Sequence, residues 1–153
     1  MAMKELSPAE MCRIFGISKG TLFRWERERP LPPVERDGAG ERRYTRVHVE
    51  AIARVELKRI TPLYDRASQP GNLSQLEALH RKIAYYKFLL GDVYGLHELL
   101  EPASLLAKPG ELADLGWLLL TMYEPNEPFF AEALDGLAQA ARKLSKQVER
   151  ENQ

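Results

Sequence analysis

The segment from Ser7 to Thr45 contains helix starts, helix stops and turn residues spaced so closely that only short elements can form in it. Ser7 is a good N-cap, and Pro8 suits the first helical position because its missing N–H would have no partner there. Glu10 has the spacing of a capping-box acid, whose side chain accepts from the backbone N–H of the cap. These residues predict a short first helix that begins directly after Ser7.

The next signals predict a second short helix, joined to the first by a tight turn. Gly16 tolerates the left-handed conformation that often ends a helix, and Ser18 is a good cap for the following one. The second helix is expected from about Lys19 to Glu28, with Leu22 and Trp25 facing inward. Two helices joined through a glycine-containing turn form a helix-turn-helix, whose second helix commonly enters the major groove of DNA.

A basic β-hairpin is predicted after the second helix. Prolines prevent helical continuation, and a glycine-containing tip, Asp37–Gly40, separates two polar arms at residues 34–36 and 41–45. Four arginines surround this predicted wing: Arg36, Arg42, Arg43 and Arg46. The pattern indicates a small DNA-binding module with a cationic wing beside its second helix.

A third helix is expected from about Arg46 to Arg59, with Thr45 as its cap. Its inward stripe would consist of Val49, Ile52 and Val55. Residues 61–71 contain two prolines, which indicates a loop. We therefore predict a DNA-binding domain over residues 1–60, a linker over 61–71 and an α-helical dimerisation or accessory domain over 72–153.

Four stretches, in order along the chain, carry a resemblance to a known family: Gly16–Ser18, Thr21–Glu26, Pro30–Pro33 and Gly40–Thr45. They are similar to the turn, the recognition helix, the proline-containing link and the wing of the MerR family and its excisionase-like relatives. The Arg-Trp-Glu sequence of the second helix is closer to the excisionase type than to the Tyr-Tyr form. The resemblance covers roughly the first 60 residues and implies a winged helix-turn-helix.

The resemblance also implies how the module would contact DNA. Thr21 and Arg24 would reach the duplex from the second helix, while Arg42 and Tyr44 would contact phosphates from the wing. Arginine can pair with guanine through two hydrogen bonds, whereas hydroxyls and wing cations mostly fix the protein on the phosphate backbone. The predicted DNA-binding residues are Ser18, Lys19, Thr21, Arg24, Arg27, Arg36, Arg42, Arg43 and Tyr44.

Some residues of the module depart from the family pattern or suit an ordinary structural role. Gly20 and Phe23 replace family arginines, so the second helix offers fewer base contacts. Its arginines alternate with glutamates, a pattern that also occurs on solvated helices. Tyr44 would serve equally in hairpin packing, and Cys12 fits an inert core position because nothing nearby favours its thiolate. The flanking turn and wing favour DNA binding.

The net charge of the chain is +0, but its two parts differ in sign. Residues 1–60 carry 13 Lys and Arg against 9 Asp and Glu, a net charge of +4. Residues 61–153 carry 9 against 13, a net charge of −4. This asymmetry favours one DNA-facing part and one that faces a partner or a second copy of the chain.

Several other classes of protein are disfavoured by the sequence. A single cysteine excludes an intramolecular disulfide framework, and no apolar run approaches the roughly 18 residues that span a bilayer. The N-terminus has no signal-peptide pattern, so we expect a bacterial-type, cytoplasmic protein associated with the nucleoid. His48, His80 and His97 lack zinc-ligand spacing, and no nucleophile–base pair or phosphate loop is evident. We therefore expect no metal, no cofactor and no enzymatic activity.

From Asn72 to Leu100 the apolar residues alternate steps of three and four, which predicts a long coiled-coil helix. Its predicted dimerisation residues are Leu76, Leu79, Ile83, Tyr86, Leu90 and Val93. Further apolar residues widen the face, so an intramolecular helical bundle is an alternative. Gly91 and Gly95 lower helix propensity and would permit a kink or a close helix crossing.

Two more helices are expected, about Glu111–Tyr123 and Pro128–Arg150, delimited by prolines. With the long helix they would form a small α-helical unit, the candidate place for a small-molecule effector or a partner protein. The aromatic residues that could line a pocket there are Tyr85, Tyr86, Tyr94, Trp117, Tyr123 and Phe129. Aromatics at helical spacing more often belong to a core.

The expected fold is mainly α: a winged helix-turn-helix with a small β-hairpin wing, a long dimerisation helix and a small α-helical C-terminal bundle. The expected function is that of a MerR-like transcriptional regulator, which binds an inverted-repeat site on double-stranded DNA as a homodimer. The alternatives are an architectural or recombination-directing DNA binder, and an adaptor that recruits a partner through its helical C-terminal half. A winged unit that has become a protein-interaction module is a third.

Overall fold

The computed structural model describes residues 4–67, 73–100 and 109–151, which are mainly helical. The chain divides into two compact units, Met1–Val55 and Glu56–Gln153. In the described ranges it forms seven helices and one two-stranded antiparallel sheet. No helix within those ranges combines the length and the apolar character needed to cross a membrane.

The N-terminal unit contains α1 (Pro8–Phe15), α2 (Lys19–Glu28), the strands β1 (Glu35–Arg36) and β2 (Arg42–Arg43), and the first part of α3 (Arg46–Ala67). Both short helices and the hairpin lie where the sequence predicts them. A small core fills the unit, formed by Leu6, Met11, Ile14, Leu22, Tyr44, Val49, Ile52 and Ala53.

Helix α3 is longer than the sequence predicts, because it continues past Arg59 to Ala67 with Pro62 inside it. Proline removes one backbone donor and would leave the carbonyl four residues earlier without its helical partner. Pro62 lies on the exposed side of the helix, where water can satisfy that carbonyl. The loop expected at residues 61–67 is therefore wrong, while residues 68–71 of the predicted linker lie outside the described ranges.

The C-terminal unit contains the rest of α3 and four further helices: α4 (Leu73–Leu89), α5 (Val93–Leu100), α6 (Pro109–Met122) and α7 (Pro128–Glu151). Helix α4 packs on α5, and both α5 and α6 pack on α7. The buried side chains of this unit include Phe88, Leu89, Leu96, Leu99, Leu115, Leu118, Leu119, Met122, Tyr123, Phe130, Ala133 and Leu137. The two C-terminal helices agree with their predicted ranges.

The single long helix expected from Asn72 to Leu100 is wrong, because the chain turns back between α4 and α5; Asn72 itself lies outside the described ranges. Gly91 adopts the left-handed conformation with φ 81°, which ends α4. The Asp92 carboxylate then accepts the backbone N–H of Tyr94 at 3.0 Å and starts α5. The apolar residues spaced three and four apart thus belong to two helices that pack on each other within one chain, as in the intramolecular alternative.

Of the predicted dimerisation residues, Tyr86 is buried within the C-terminal unit. The remaining five, Leu76, Leu79, Ile83, Leu90 and Val93, are half-buried. Dimerisation through these residues stays a prediction.

Most of the aromatic residues considered for a pocket pack against other groups instead. The rings of Tyr123 and Phe129 lie 4.7 Å apart, and Phe88 lies 5.7 Å from Phe129. The Tyr123 hydroxyl donates to the Leu89 carbonyl, whereas Tyr94 is 73% exposed. A cavity of about 300 Å³ between α5 and α7 includes none of the six aromatic residues proposed as a pocket lining; it is lined by His97, Leu100, Asp135, Gly136, Gln139, Ala140 and Lys143.

Candidate nucleic-acid interface

Local capping interactions set the starts of α1 and α2 and the turn between them. Ser7 and Glu10 form a complete capping box, since each side chain accepts the backbone N–H of the other residue at 3.0 to 3.1 Å. Gly16 has φ 63° and ends α1, and the Ser18 hydroxyl accepts the Thr21 N–H at 3.1 Å and begins α2. These bonds confirm the predicted starts of both helices and fix the turn that orients α2.

One face of α2 packs on the core of the N-terminal unit. Leu22 is fully buried, and the Trp25 ring meets Phe15 of α1 edge-on with a centroid distance of 6.2 Å. The Arg29 guanidinium carbon lies 3.8 Å from the centroid of the same Trp25 ring. This face of α2 is therefore held on the core, while Lys19, Arg24 and Arg27 are exposed.

The exposed face of α2 carries cationic side chains. Lys19 lies in its first turn, and Arg24 and Arg27 follow one turn apart. Arg24 lies 4.0 Å from Glu28, and more than half of each of these side chains is exposed. Such an exposed pair contributes little, so Arg24 can exchange this partner for an anionic ligand.

The hairpin wing has a short ladder and a tightly bonded tip. Glu35 pairs with Arg43 and Arg36 with Arg42 across the two strands. At the tip, one Asp37 carboxylate oxygen accepts the backbone N–H groups of residues 39 and 41, each at 2.9 Å. Gly40 completes the turn with φ 81°, a conformation that side chains disfavour.

The wing arginines differ in whether they form ion pairs with acidic residues. Arg43 is paired with Asp37 at 2.7 Å and lies 3.8 Å from Glu5. The backbone donor of Glu41 first, and then the Arg43 guanidinium, hold the pKa of the Asp37 carboxyl below its usual value. Arg36, by contrast, is exposed and donates to the Gly40 carbonyl of its own hairpin at 2.9 Å.

A cluster of side chains joins the wing to α2. The Arg42 Nε donates to Glu26 at 2.8 Å, and its guanidinium carbon lies 3.9 Å from the centroid of the Phe23 ring. The same Glu26 oxygen accepts the Tyr44 hydroxyl at 3.2 Å. We call Phe23, Glu26, Arg42 and Tyr44 the wing cluster.

Tyr44 belongs to the core and does not lie on the surface. Its side chain is fully buried, and its ring meets His48 edge-on with a centroid distance of 5.6 Å. Burial, together with the charge of Glu26, raises the pKa of the Tyr44 hydroxyl. The phosphate contact expected from Tyr44 is therefore wrong, and the alternative of hairpin packing is the one that holds.

His48 is a structural residue that sequence reasoning assigned no role. Its Nδ1 accepts the Thr45 backbone N–H at 3.0 Å, and its Nε2 lies 3.1 Å from the Pro33 carbonyl oxygen. A backbone donor on one nitrogen and a carbonyl on the other require the neutral tautomer with hydrogen on Nε2. The spacing of Thr45 and His48 is that of a capping box, which is the sequence signal that could have identified it.

The predicted site residues thus fall into four groups. Lys19, Arg24, Arg27 and Arg36 are exposed cations of α2 and the wing. Ser18 and Thr21 are bonded to each other at the start of α2, and Arg42 and Arg43 are half-buried in ion pairs. Tyr44 is core. In the described part of the chain, no three His, Cys, Asp or Glu side chains gather as a metal site would require.

Residues 6–57 match the family model described as MerR HTH family regulatory protein. The match confirms the resemblance for this N-terminal part, which is a MerR-type helix-turn-helix domain of the kind found in DNA-binding transcription regulators. No curated protein and no solved structure matches the chain.

Proposed function

We propose that this protein is a transcription regulator that binds an inverted-repeat DNA site as a homodimer. The observation that carries the proposal is the exposed face of α2. Arg24 and Arg27 project from it while Leu22 and Trp25 hold the opposite face on the core. The exposed Arg36 of the wing adds a further cation, which would contact phosphate whatever the base sequence.

We propose a homodimer because one short α2 helix can supply only a few contacts to base edges. Each α2 offers few side chains for base edges, because Gly20 and Phe23 occupy two of its positions. Two copies related by a two-fold axis would double the contacts and read two half-sites in opposite orientations. The proposed site of action is therefore the cytoplasmic nucleoid, and the proposed role is binding rather than catalysis.

A second candidate function is supported by the same shortage of base-reading side chains. A protein that contacts mainly phosphates binds many sequences with similar affinity. Such a protein would act as an architectural or recombination-directing DNA binder, with the acidic C-terminal part available to a partner protein or an effector. The two candidates differ in specificity and not in the surface they use.

The test is DNA binding by the full chain, measured by fluorescence anisotropy with genomic fragments over a series of salt concentrations and followed by footprinting. A single protected palindrome near a promoter supports the regulator. Several spaced or weakly protected sites support the architectural function. Absence of binding at low salt would reject both candidates, since phosphate contacts are strongest there.

Arg24 provides the sharper version of this test. Arg24→Ala should reduce the preference for the protected palindrome over unrelated DNA, because a guanine contact carries about 1–3 kcal/mol of discrimination. Arg13→Ala, which removes an exposed arginine from α1 instead, is the matched control. Equal loss of specificity in both variants would contradict a reading role for Arg24.

A further inference from the structure

Arg42 is held by two side chains of α2 at once. Its Nε donates to Glu26 at 2.8 Å, and its guanidinium carbon lies 3.9 Å from the Phe23 ring centroid. Phe23 and Glu26 are three residues apart and therefore lie side by side on one face of the helix. One face of α2 thus holds Arg42, the residue of β2 that lies opposite Arg36 in the hairpin.

The surroundings of this contact make it stronger than an ordinary surface ion pair. About a quarter of each side chain is exposed, 26% for Arg42 and 24% for Glu26. Partial exclusion of water lowers the local dielectric constant and strengthens the attraction between the two charges. The aromatic face adds a cation–π interaction, and the flat guanidinium suits both partners at the same time.

Glu26 is at first sight an unfavourable residue for a DNA-binding helix, because a carboxylate there repels phosphate. Its two hydrogen bonds, to Arg42 and to the Tyr44 hydroxyl, both reach residues of the wing side of the unit. Phe23 likewise stands where the family pattern has an arginine, and its ring lies against the Arg42 guanidinium. Both residues thus have partners that would orient the wing.

We propose that Phe23 and Glu26 are positioning residues that hold the wing against α2 through Arg42, and that Arg42 acts in this contact rather than as a phosphate ligand. The proposal rests on the proposed DNA-binding function and names the residues that set the geometry of its surface. Direct phosphate contact from the wing is then left to exposed cations such as Arg36.

The experiment measures DNA affinity and its salt dependence for Glu26→Gln, with Glu28→Gln on the same helix as the matched control. Removing a negative charge near DNA should by itself tighten binding, and Glu28→Gln should bind at least as tightly as the wild type. Glu26→Gln should instead weaken binding about tenfold with an unchanged salt slope, because the wing is no longer held. Equal affinities for the two variants would overturn the proposal.

Arg42 and Arg36 separate a positioning role from phosphate contact. Arg42→Lys keeps the charge but loses the planar group that fits Glu26 and Phe23 together, so it should weaken binding as Phe23→Leu does, without changing the salt slope. Arg36→Met should lower the slope of log K against log salt by about 0.9, the value for one phosphate contact. Wild-type affinity for Arg42→Lys would identify Arg42 as a phosphate ligand and overturn the proposal.

Nuclear magnetic resonance tests the contact without DNA and so separates it from the proposed function. In the wild type, the Arg42 Nε–H should be protected from exchange with water. Glu26→Gln should expose it and shift the amide signals of residues 36–41, whereas Glu28→Gln should leave both unchanged. Unchanged spectra in Glu26→Gln would overturn the proposal even if the protein binds DNA, and a shift would support it even if DNA binding failed.

Discussion

At the scale of single residues, burial separates the groups that hold the DNA-binding module together from those that can reach a ligand. Tyr44 is enclosed by the core, and its hydroxyl is bonded to Glu26. Arg24 lies on the same module with a side chain that is 54% exposed. Two residues of equal interest in the sequence thus have different physical roles, because only one of them meets solvent.

Tyr44→Phe should reduce the free energy of unfolding by about 0.5–1.5 kcal/mol, the usual net contribution of one hydrogen bond. Glu26 keeps its ion pair with Arg42 in this variant, so no buried charge is left alone. The measurement is urea unfolding of the variant and the wild type at pH 7. An unchanged unfolding midpoint would contradict the structural role of the hydroxyl.

The raised pKa of Tyr44 predicts how stability changes with pH. In the folded chain its hydroxyl stays protonated, mainly because it is buried, while in the unfolded chain it ionises near its ordinary value of 10.0. The unfolded state therefore binds fewer protons above pH 10, and stability is lost as the pH rises. We expect unfolding free energies measured from pH 8 to 11 to fall above pH 10, and to fall less steeply in Tyr44→Phe.

Residue roles were predictable from the sequence where their partners are near in the chain. Ser7 and Ser18 each bond a backbone group three residues away, so a local pattern identifies them as caps. Glu26 and Arg42 are 16 residues apart, and only the folded hairpin brings them together. No local pattern encodes that distance, so the sequence alone could not predict the contact between Glu26 and Arg42.

At the scale of elements, two helix breakers behaved differently. Pro62 lies inside α3, where the exposed position of the proline lets solvent satisfy the carbonyl it leaves free. Gly91 ends α4 in a left-handed conformation, and the chain turns back there so that α5 packs on α4. Proline and glycine signals alone could not distinguish these outcomes, since tertiary packing decides between them.

Gly95 is the residue that allows α5 to approach α4 closely. An added Cβ would lie 2.6 Å from the Ala84 carbonyl oxygen and 2.8 Å from the Phe88 nitrogen, both backbone atoms. Gly95→Ala should therefore destabilise the protein by about 1–3 kcal/mol through overpacking.

Gly116→Ala in α6 is the matched control, because no atom lies within 4 Å of its added Cβ. Alanine is the better helix former by about 1 kcal/mol, so this variant should be more stable than the wild type. Thermal and urea unfolding of both variants measure the difference. Equal stability of the two would contradict the close packing of α4 and α5.

The wing tip has its own pH dependence. The pKa of Asp37 is lowered, first by the Glu41 backbone donor and also by Arg43, so its contribution to hairpin stability is fully present above the unfolded value of 3.8. That contribution is lost as the pH falls through the lower folded pKa. A carboxyl titration by nuclear magnetic resonance should place the Asp37 midpoint below 3.8, and the Ala39 and Glu41 amides should shift with it. A midpoint at or above 3.8 would contradict the tip geometry.

At the scale of the whole molecule, the opposite charges of the two parts of the chain suit different tasks. Residues 1–60 carry a net charge of +4 and residues 61–153 a net charge of −4. The basic part would lower the free energy of DNA association, and the acidic part would be repelled by the same phosphates. With DNA on the basic part, the acidic part is the one left for the proposed second copy or partner.

The proposed homodimer is testable through the predicted dimerisation residues. Leu79 is half-buried on α4, and Leu79→Glu should convert the dimer to a monomer in sedimentation equilibrium at micromolar concentration. Binding to a two-half-site DNA should weaken in parallel. Leu134→Glu on α7, where the leucine is 49% exposed, is the control and should remain dimeric.

A wild-type protein that sediments as a monomer would reject the dimer. A dimer disrupted by Leu134→Glu and not by Leu79→Glu would move the interface to α7.

The turn at Gly91 bears on the order in which the chain folds. Only residues 90–92 separate α4 from α5, so the entropy lost in bringing the two helices together is small. Contacts between residues near in sequence form quickly, whereas the pairing of Glu26 with Arg42 must wait for a longer loop to close. We expect the α4–α5 pair to be present in the folding transition state, so that Gly95→Ala slows folding rather than accelerating unfolding.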